Sequence, residues 1–455
     1  MVHDVITVTI TDLSDKGEGT VNYEGYQIYV KGTVPSDVVN IECGAPFVKG
    51  SKRCPGKLLS LVKASPNRKE GAEVCPHFEE CGGCTLGLLN KKAQHAFKQK
   101  LIEEALERTG IGNAKLLPFV GAPCNSLRSK SIRFFGKKNN NLVQGFYRSR
   151  SHMICPVSIC PAEEAWFGQL AEEISVHAQK CGISAYDEKS RQGQLRALMM
   201  RDCNEGGRVA VLVHAYPLSK HFIDELLKLY TKYAVTAGFV QQNLCDGNRI
   251  MQGKMIALTS ESMVKIKLGS FNFNAGPETF LQVNYAVAQE LYASALRWCG
   301  EDKEACALDL CCGCGTMTLP LAEKFKKVIG VEIVEEAVRA ARENAREAGL
   351  FNIEFIADDL KRCLPHLTGE NIAAVIADPA RSGLGAENCM AMKHLPDGTR
   401  LALIFCGLKA LTRDLPQLYK VGFKLESVQG FDMFPETSGC ETLCLLVKHN
   451  NGKRR

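Results

Sequence analysis

Three cysteines lie close together in the segment EVCPHFEECGGC. Cys75, Cys81 and Cys84 follow the pattern Cx5CxxC, and thiols at this spacing can bind zinc, bind an iron–sulfur cluster or remain unligated. Gly82 and Gly83, between the last two cysteines, indicate a backbone that wraps tightly round an inorganic group. The segment therefore favours a metal site over three buried free thiols.

A fourth thiolate would decide between the two kinds of metal site. Zinc sites usually have a second CxxC pair, and none follows within about 60 residues of Cys84. A cuboidal iron–sulfur cluster takes four thiolates, and the last can come from a distant part of the fold. Cys155 and Cys160, in SHMICPVSIC, are two candidates for that position.

A second chemical signal lies in ALDLCCGCGTMTLP. Here an apolar strand ends at Asp309, and a loop with Gly313 and Gly315 leads into a helix. This order places backbone N–H groups against an adenosine-containing cofactor. The loop does not read GxGxxG, so the pattern does not favour a nicotinamide cofactor.

Acidic residues at the ends of the next two strands narrow the choice of cofactor. The strand KVIGVE ends at Glu332, whose carboxylate can accept hydrogen bonds from both hydroxyls of a ribose. Asp358 and Asp359 end the strand IEFIADD, where they can meet an adenine amino group. The pair of strand ends predicts S-adenosylmethionine (SAM); the alternative for Glu332 is an acid that only begins a helix.

Three parts of the chain must position these residues, so we predict an α/β multidomain protein. Residues 1–66 alternate apolar and polar side chains between turn signals, which predicts a small β-barrel. Residues 67–270 combine the cysteines, several strands and the helix KQKLIEEALERTG, which ends at Gly110, in an α+β pattern. Residues 271–455 alternate strands and helices, which predicts a Rossmann-like parallel sheet covered on both faces.

Composition excludes several classes of protein. The chain has 455 residues, of which 45% are hydrophobic and 23% charged, and it has no secretory signal pattern and no long uncharged apolar run. We expect a soluble protein that is not secreted, so its 21 cysteines are expected to be reduced thiols, ligands or nucleophiles. Lys and Arg are concentrated in KGSKRCPGK, KASPNRK and NKKAQHAFKQK, which suits a polyanionic partner, although such runs are often only solvated surface.

The order of motifs along the chain resembles one known family. The motifs are the small barrel, Cx5CxxC, YRSRSHMICPVSIC, FLQVN, DLCCGCGT, DPARSG, FCGLKALTRD and DMFPETSGCE. They resemble those of the SAM-dependent RNA uracil-5-methyltransferases, especially the ribosomal RNA type with an N-terminal TRAM domain and a 4Fe–4S cluster. The resemblance implies a TRAM-like, OB-like barrel at 1–66, a cluster-bearing RNA-binding domain at 67–270 and a class I SAM-dependent methyltransferase domain at 271–455.

The resemblance also implies roles for individual residues. Cys406 matches the nucleophile, Glu441 the general base, and Asp378 a contact to the reacting uracil and the cofactor. The implied cofactor contacts are Gln282, Cys311, Gly313, Gly315, Thr316, Glu332, Asp359 and Asp378. In the family a histidine recurs eight positions before the fourth cluster cysteine, as His152 does before Cys160. The implied cluster ligands are Cys75, Cys81, Cys84 and Cys160, with Cys155 as the second choice for the last position.

Such chemistry needs these residue types. Carbon 5 of uracil is a poor nucleophile, and addition of a thiolate to carbon 6 turns the ring into an enolate that can attack a methyl donor. The thiol pKa of about 8.5 must be lowered, or a base supplied, for this addition. Afterwards a general base must remove the proton on carbon 5 before the thiol can leave.

Two motifs depart from the family pattern. Family members usually read SCNPxTxxRD and PHTHHVE where this chain reads FCGLKALTRD and PETSGCE. The changed positions include Phe405, Gly407, Leu408, Glu436, Ser438 and Gly439. Loss of proline beside glycine predicts a looser loop at Cys406, although the thiol itself and the spacing to Glu441 are retained.

We expect a cytoplasmic, monomeric enzyme that methylates a uridine of 23S-type ribosomal RNA and has no membrane partner. A transfer RNA substrate is the first rival, and a non-catalytic RNA-binding protein is the second. A radical-SAM enzyme is disfavoured, because the cysteines do not follow CxxxCxxC. Candidate RNA contacts are Arg53, Lys63, Arg68, Arg128, Arg133, Arg148, Phe134, Phe135, Phe146 and Tyr147, although the aromatic residues among them could equally belong to the core.

Overall fold

The alternating residues near the N-terminus form a six-stranded, mostly antiparallel sheet with the order β1-β5-β6-β4-β3-β2. In the computed structural model of the chain, which describes residues 3–449 except 72–73, 113, 124–126, 150, 246, 248 and 368, its strands are β1 (Val5–Thr9), β2 (Asp12–Leu13), β3 (Gly19–Tyr23), β4 (Tyr26–Val30), β5 (Val38–Cys43) and β6 (Arg53–Lys63). Ile28, Val39 and Ile41 fill its buried face. Closure of this sheet into a barrel stays a prediction.

A long helix, α1 (Lys91–Thr109), follows the cysteine segment. The Asn90 side chain accepts a hydrogen bond from the Ala93 N–H at its start, and Gly110, with φ of 66°, ends it. The predicted helix ending at Gly110 is confirmed. Ile102 and Ala105 on α1 pack into the core of the C-terminal sheet, and β7 (Lys115–Leu116) joins that sheet beside its last strands.

The central part of the chain is a seven-stranded sheet with the order β10-β9-β8-β11-β12-β13-β14. Its strands are β8 (Lys130–Lys138), β9 (Asn141–Tyr147), β10 (Ile154–Pro156), β11 (Leu195–Asp202), β12 (Arg208–His214), β13 (Val235–Gln242) and β14 (Lys254–Ala257). Helices α2 (Ala165–Lys180) and α3 (Lys220–Lys232) cover one face through residues such as Phe167 and Phe222. The other face packs on a hairpin of β15 (Val264–Leu268) and β16 (Phe271–Ala275) and on the C-terminal domain.

The C-terminal domain is an eight-stranded sheet with the order β19-β18-β17-β20-β21-β23-β22-β7. Strands β17 to β21 are parallel to one another, and β23 is antiparallel to β21 and β22. The strands are β17 (Asp302–Leu310), β18 (Phe325–Glu332), β19 (Ile353–Ala357), β20 (Ile372–Ala377), β21 (Arg400–Phe405), β22 (Phe423–Phe431) and β23 (Glu441–Lys448). The helices are α4 (Tyr285–Cys299), α5 (Thr318–Ala322), α6 (Glu335–Glu347), α7 (Leu360–Cys363), α8 (Ala386–Ala391) and α9 (Leu408–Lys420).

Two apolar clusters, one on each face of this sheet, make up the core of the C-terminal domain. The strand order reverses between β17 and β20, and ligands of open parallel sheets bind at the carboxyl ends of the strands at such a reversal. The mixed α/β architecture is thus the predicted one. The predicted domain boundaries at 66/67 and 270/271 stay predictions. Helix α1 and strand β7 precede residue 270 in the chain and nevertheless contact the C-terminal sheet.

Candidate active site

Three of the predicted catalytic residues meet at one edge of the C-terminal sheet. Asp378 follows β20 and Cys406 follows β21, two neighbouring parallel strands. Glu441 begins the antiparallel strand β23, and Phe405 pairs with Thr442 across the two strands, so the carboxylate lies beside the thiol. Sequence positions 63 residues apart are thereby brought into one cluster by strand pairing alone.

The Cys406 thiol is half-buried among acidic groups. Burial, followed by the nearby carboxylates of Glu441 and Asp378, raises its pKa to about 11, whereas the Arg381 guanidinium acts in the opposite direction. Cys406 also stands two residues before α9, whose N-terminus favours a negative charge. At a pKa of about 11 the Cys406 side chain is mostly a thiol near neutral pH, so a reaction that uses its thiolate needs a base or a change of environment.

The two carboxyl groups of the cluster are buried. Burial raises the pKa of Asp378 to about 6, while a hydrogen bond from the Gln282 side-chain N–H, at 3.3 Å, lowers it. Burial and the charge of Asp378 hold the pKa of Glu441 well above its usual range. Among the described residues the Glu441 Oε2 atom has no hydrogen-bond partner. An uncompensated buried carboxyl oxygen of this kind is expected where a substrate proton is to be accepted.

Arg381 is a member of the cluster that was not picked out from the sequence. Its exposed guanidinium lies near enough to Cys406 and Glu441 to lower the pKa of both. The signal that could have found it is its position in DPARSG, three residues after Asp378. An exposed cation beside the thiol is suited to stabilise a thiolate or a developing oxyanion.

The Arg413–Asp414 pair, noted in the sequence only as a motif match, holds the loop that carries Arg381. The fully buried Asp414 carboxylate accepts hydrogen bonds from the N–H groups of Leu384, at 2.8 Å, and Gly385, at 3.3 Å. The Arg413 guanidinium donates to the Ser382 carbonyl at 2.5 Å. Through these bonds helix α9 holds the loop after β20 close to the end of β21, the strand that leads to Cys406.

The cofactor residues predicted from the glycine-rich loop lie together at the reversal of the strand order. Cys311 has φ of 62° and Gly313 has φ of 53°, so the backbone turns sharply after β17. The Glu332 carboxylate accepts hydrogen bonds from the N–H groups of Gly313, at 3.1 Å, and Val334, at 3.0 Å. The Thr316 side chain forms a hydrogen bond with the hydroxyl of Tyr292, which is buried behind the loop.

The remaining acids near this loop have distinct positions. Asp359 caps α7, since its side chain accepts a hydrogen bond from the Lys361 N–H, at 3.2 Å, and Asp358 pairs with Arg362. Asp309 is fully buried below the loop, where it accepts a hydrogen bond from the Thr318 hydroxyl, and burial raises its pKa to about 7. A glycine-rich turn with acids at the ends of consecutive strands offers backbone N–H donors and carboxylate acceptors. These groups fit the ribose and adenine of SAM.

All four predicted cluster ligands line one cavity of about 350 Å³ between the central sheet and the C-terminal domain: Cys75, Cys81, Cys84 and Cys160. In the part of the chain that the structure describes, their side chains do not form a ready-made metal-binding group. The surroundings nevertheless fit an anionic inorganic group. Arg128 lines the cavity with a buried Nε atom that has no hydrogen-bond partner in the described residues, and the Gly83 N–H donates to the Cys81 sulfur at 3.4 Å.

The position of Cys155 differs from that of Cys160. Cys155 does not line the cavity; its buried sulfur lies 4.0 Å from the Glu80 carboxylate. A Cβ atom at Gly82 would lie 2.8 Å from the Tyr147 carbonyl oxygen, so the cysteine segment packs tightly against β9. His152 is largely exposed and its ring contacts Tyr147. The geometry favours Cys160 over Cys155 as the fourth thiol of this cavity.

Part of the predicted RNA surface is wrong. Arg133 is 1% exposed and ion-paired with Glu163, because a buried guanidinium needs a carboxylate partner, so it cannot reach a phosphate. Phe135 is buried in the core of the central sheet. Phe134 and Tyr147 stack on each other with ring centroids 4.2 Å apart. Arg53 and Lys63 are exposed on β6, as an RNA contact requires.

Among the described residues, no helix combines the length and the apolar character that crossing a membrane requires.

Comparisons with known proteins place these features in context. The family model tRNA (uracil-5-)-methyltransferase matches residues 243–449. An uncharacterized RNA methyltransferase of Halalkalibacterium halodurans is 30% identical over 464 residues, covering 98% of each chain. One from Clostridium tetani is 30% identical over 452 residues, covering 98% of this chain and 96% of its own. The crystal structure of Pyrococcus abyssi tRNA (uracil-54, C5)-methyltransferase in complex with S-adenosyl-L-homocysteine has the same fold, with a TM-score of 0.76 at 21% identity over 97% of this chain and 100% of that one.

Proposed function

The chain belongs to the SAM-dependent RNA uracil-5-methyltransferase family, and on that basis we propose that it methylates carbon 5 of a specific uridine in ribosomal RNA through a covalent cysteine–uracil adduct. The observation that carries the proposal is the convergence of a thiol, a cation and a buried carboxyl group at Cys406, Arg381 and Glu441, whose Oε2 atom has no hydrogen-bond partner among the described residues. Binding alone would not require a nucleophile and a base at this distance from each other.

Each residue of the cluster has a role in the proposed reaction. The Cys406 thiolate forms a bond to carbon 6 of the uracil, and the electron pair of the 5,6 double bond moves into an enolate. Arg381 stabilises the thiolate beforehand, and its cation offsets the negative charge of the neighbouring acids. When bound, SAM supplies the electrophilic methyl group that carbon 5 takes. Glu441 then accepts the proton of carbon 5, and the carbon–sulfur bond breaks as the double bond reforms.

Asp378 and Gln282 are proposed to orient the uracil and the cofactor. Their hydrogen bond, at 3.3 Å, joins the loop before α4 to the end of β20, on the side where the glycine-rich loop lies. Cys311, Gly313, Gly315, Thr316, Glu332 and Asp359 are proposed to bind SAM. The target uridine must leave its stack to reach the thiol, so a loop or a flipped nucleotide is the expected substrate.

We also propose that Cys75, Cys81, Cys84 and Cys160 hold a 4Fe–4S cluster. This assignment is supported by four thiols round one cavity, by a sulfur that accepts a backbone N–H bond, and by an Arg128 Nε atom beside them that has no hydrogen-bond partner in the described part of the chain. The cavity lies between the central sheet and the loop that precedes Glu441, so a cluster there would join two parts of the fold.

Transfer RNA is the competing substrate. The description of the family model and the name of the Pyrococcus abyssi protein both refer to transfer RNA. Ribosomal RNA is favoured by the resemblance to the cluster-bearing ribosomal type, and we propose that the six-stranded sheet is the counterpart of its small N-terminal domain. The proposed reaction is the same for a uridine of either RNA, so the cluster of side chains does not distinguish the two substrates.

The function is tested with protein purified without oxygen, methyl-labelled SAM, and unmodified ribosomal and transfer RNA in separate reactions. We expect label in 5-methyluridine from ribosomal RNA after digestion to nucleosides, no label with Cys406→Ala, and full label with the control Cys245→Ala, a change at an exposed thiol outside the site. Label from transfer RNA alone would change the substrate. No label from either RNA, with SAM still bound, would favour the non-catalytic RNA-binding alternative.

The cluster is tested by its iron and sulfide content and its visible absorption. Cys84→Ser and Cys160→Ser should lose iron, whereas Cys155→Ser should retain it, because only Cys155 lies outside the cavity. Zinc in place of iron, or no metal in anaerobic wild-type protein, would contradict the cluster.

A further inference from the structure

We infer that Glu436, at a position where the related family has histidine, is a positioning residue for the general base Glu441; the inference rests on the proposed function. Glu436 lies in the loop between β22 and β23, five residues before Glu441. It contacts the cysteine segment and α1 and does not touch the reacting groups. Its role would therefore be exerted through the backbone of this loop, residues 432–440, which we call the base loop.

The Glu436 side chain is fixed by two partners from the N-terminal half of the chain. The Lys69 ammonium lies 2.7 Å from its Oε2 atom, with the two side chains only 13% and 21% exposed. The Gln94 side-chain N–H donates to the same oxygen at 3.2 Å, and the Glu436 N–H donates to the Gln94 side-chain oxygen at 3.1 Å. A carboxylate can satisfy both donors at once, which a histidine ring nitrogen cannot do.

The backbone of the base loop is also bound to the cysteine segment. The Glu436 carbonyl accepts hydrogen bonds from the N–H groups of Thr85, at 3.0 Å, and Leu86, at 2.9 Å. The Ser438 N–H donates to the Thr85 hydroxyl at 2.9 Å. Glu436 has φ of 68°, a left-handed conformation that residues other than glycine rarely adopt. These tertiary contacts, and not local preference, hold the conformation.

A second anchor fixes the start of the base loop. Asp432 is buried against His95, at 3.1 Å, and against the fully buried Lys98. The Lys98 ammonium also donates to the Phe434 carbonyl at 3.0 Å. Helix α1 therefore holds the loop at residue 432 and again, through Gln94, at residue 436.

The end of the loop is where the anchors matter for chemistry. Glu441 is the first residue of β23, so strand pairing fixes the backbone that follows it, whereas the backbone that precedes it belongs to the base loop. Its Oε2 atom has no hydrogen-bond partner in the described part of the chain that could fix the side chain directly. The orientation of the Glu441 carboxylate thus depends on the backbone of the base loop that precedes it. Loss of the Glu436 contacts should shift Glu441 and slow proton removal from carbon 5.

The test uses Glu436→Gln and Lys69→Met in single-turnover methylation, with Glu441→Gln as the reference for a missing base. Slow proton removal leaves a methylated RNA–protein adduct, which carries the label and survives denaturing electrophoresis. We expect the adduct to decay about 10-fold to 100-fold more slowly in both variants than in wild type, with unchanged KM for SAM and RNA. Glu426→Gln, the same change at an exposed site on β22, is the matched control and should behave as wild type.

A purely structural role would lower adduct formation and decay alike and would lower the melting temperature. The charge-swapped double variant Lys69→Glu, Glu436→Lys restores the ion pair but not the hydrogen bond that the Gln94 side-chain N–H donates to residue 436. Partial recovery of adduct decay in this variant supports the inference even if the single variants are less stable. Normal decay in both Glu436→Gln and Lys69→Met overturns the inference while the proposed function stands. Wild-type protein that labels no RNA would overturn the proposed function and this inference with it.

Discussion

At the scale of single residues, the protein surrounds Cys406, the proposed nucleophile, with groups that oppose its ionisation. Burial, Glu441 and Asp378 all raise the pKa of Cys406, to about 11, whereas the Arg381 guanidinium and a backbone hydrogen bond act in the opposite direction. The thiolate fraction then rises with pH throughout the range between 7 and 10, because the pKa lies above that range. A thiol held in its neutral form is protected from alkylation, because the thiolate is the reactive form.

The first prediction concerns that pKa. Removal of a negative neighbour in Asp378→Asn should lower the pKa of Cys406 and speed its alkylation by iodoacetamide, whereas Arg381→Met should raise the pKa and slow it. Rates are measured by mass spectrometry of the Cys406 peptide between pH 7 and 9. We expect changes of about 3-fold to 10-fold in opposite directions.

The fully buried Cys444 serves as an internal reference for this measurement, because its access to reagent requires unfolding. Equal changes at Cys444 would mean that the substitutions act on stability. Changes of the same sign in the two variants would contradict the electrostatic explanation of the Cys406 pKa.

At the scale of the elements, the turn from β17 into α5 encloses the Asp309 carboxyl group at a buried site, where its ionisation is unfavourable. Burial raises the pKa of Asp309 to about 7, above the value near 3.9 of an unfolded chain. Between these values the unfolded state has lost its proton and the folded state has kept it. The free energy of unfolding should therefore fall as pH rises from about 4 to 7 and stay level above that.

Asp309→Asn removes this titration while keeping an oxygen for the Thr318 hydroxyl. We expect the difference in the free energy of unfolding between pH 5 and pH 8 to be smaller in the variant by roughly 2 kcal/mol. Denaturant titrations at the two pH values provide the measurement. An unchanged difference would show that Asp309 ionises as readily in the folded protein as in the unfolded chain.

Asp414 supports the second element-scale prediction. Asp414→Asn weakens the charge-assisted bonds to Leu384 and Gly385 and releases Arg413, so the loop with Arg381 loses its fixed position. We expect stability to fall by about 2 kcal/mol and methylation to fall by about 10-fold, since Arg381 is displaced from Cys406. Chemical denaturation and initial rates check the two effects; a loss of stability without a loss of rate would mean that the clamp does not serve Arg381.

Helices and strands, and the residues at which the strands end, were predictable wherever the signal is local. The periodicity of α1, α4 and α6 and the apolar runs of β17 to β21 appear in the sequence, and Asp378 and Cys406 follow from where those strands stop. The addition of β7 to the last sheet, the burial of Arg133 with Glu163 and the contacts of Glu436 depend on distant partners. A pattern read along the chain carries no information on such pairs, which explains why Arg133 was assigned to the surface.

At the scale of the whole molecule, the N-terminal sheet is fastened by one buried carboxylate. Asp37 accepts hydrogen bonds from the N–H groups of Val34 and Ser65 and pairs with the Arg68 guanidinium at 2.8 Å. Gly17, at the other end, packs so closely that a Cβ atom would lie 1.9 Å from the Thr85 carbonyl oxygen. The sheet is thus attached directly to the segment that carries the cysteines.

Asp37→Ala should loosen this attachment. It leaves Arg68 without its buried partner, so we expect the sheet to lose about 3 kcal/mol of stability and hydrogen exchange in residues 3–65 to become faster. The KM for RNA should rise while kcat stays close to wild type, because the catalytic cluster is untouched. Asp12→Ala, which removes an exposed ion pair with Lys100, is the control and should change stability by less than about 1 kcal/mol. A lowered kcat with an unchanged KM would exclude RNA binding by this sheet.

The contact between Thr85 and Ser438 spans 353 positions of the chain. A ribosome makes the cysteine segment and α1 long before the base loop, and the first domains of a growing chain generally fold as they emerge. The cavity that the four cysteines line therefore borders a surface whose last partner is synthesised almost at the end of the chain. We expect residues 432–441 to close onto a platform that has already formed, so that the cluster of side chains at Cys406 is completed only when translation is nearly finished.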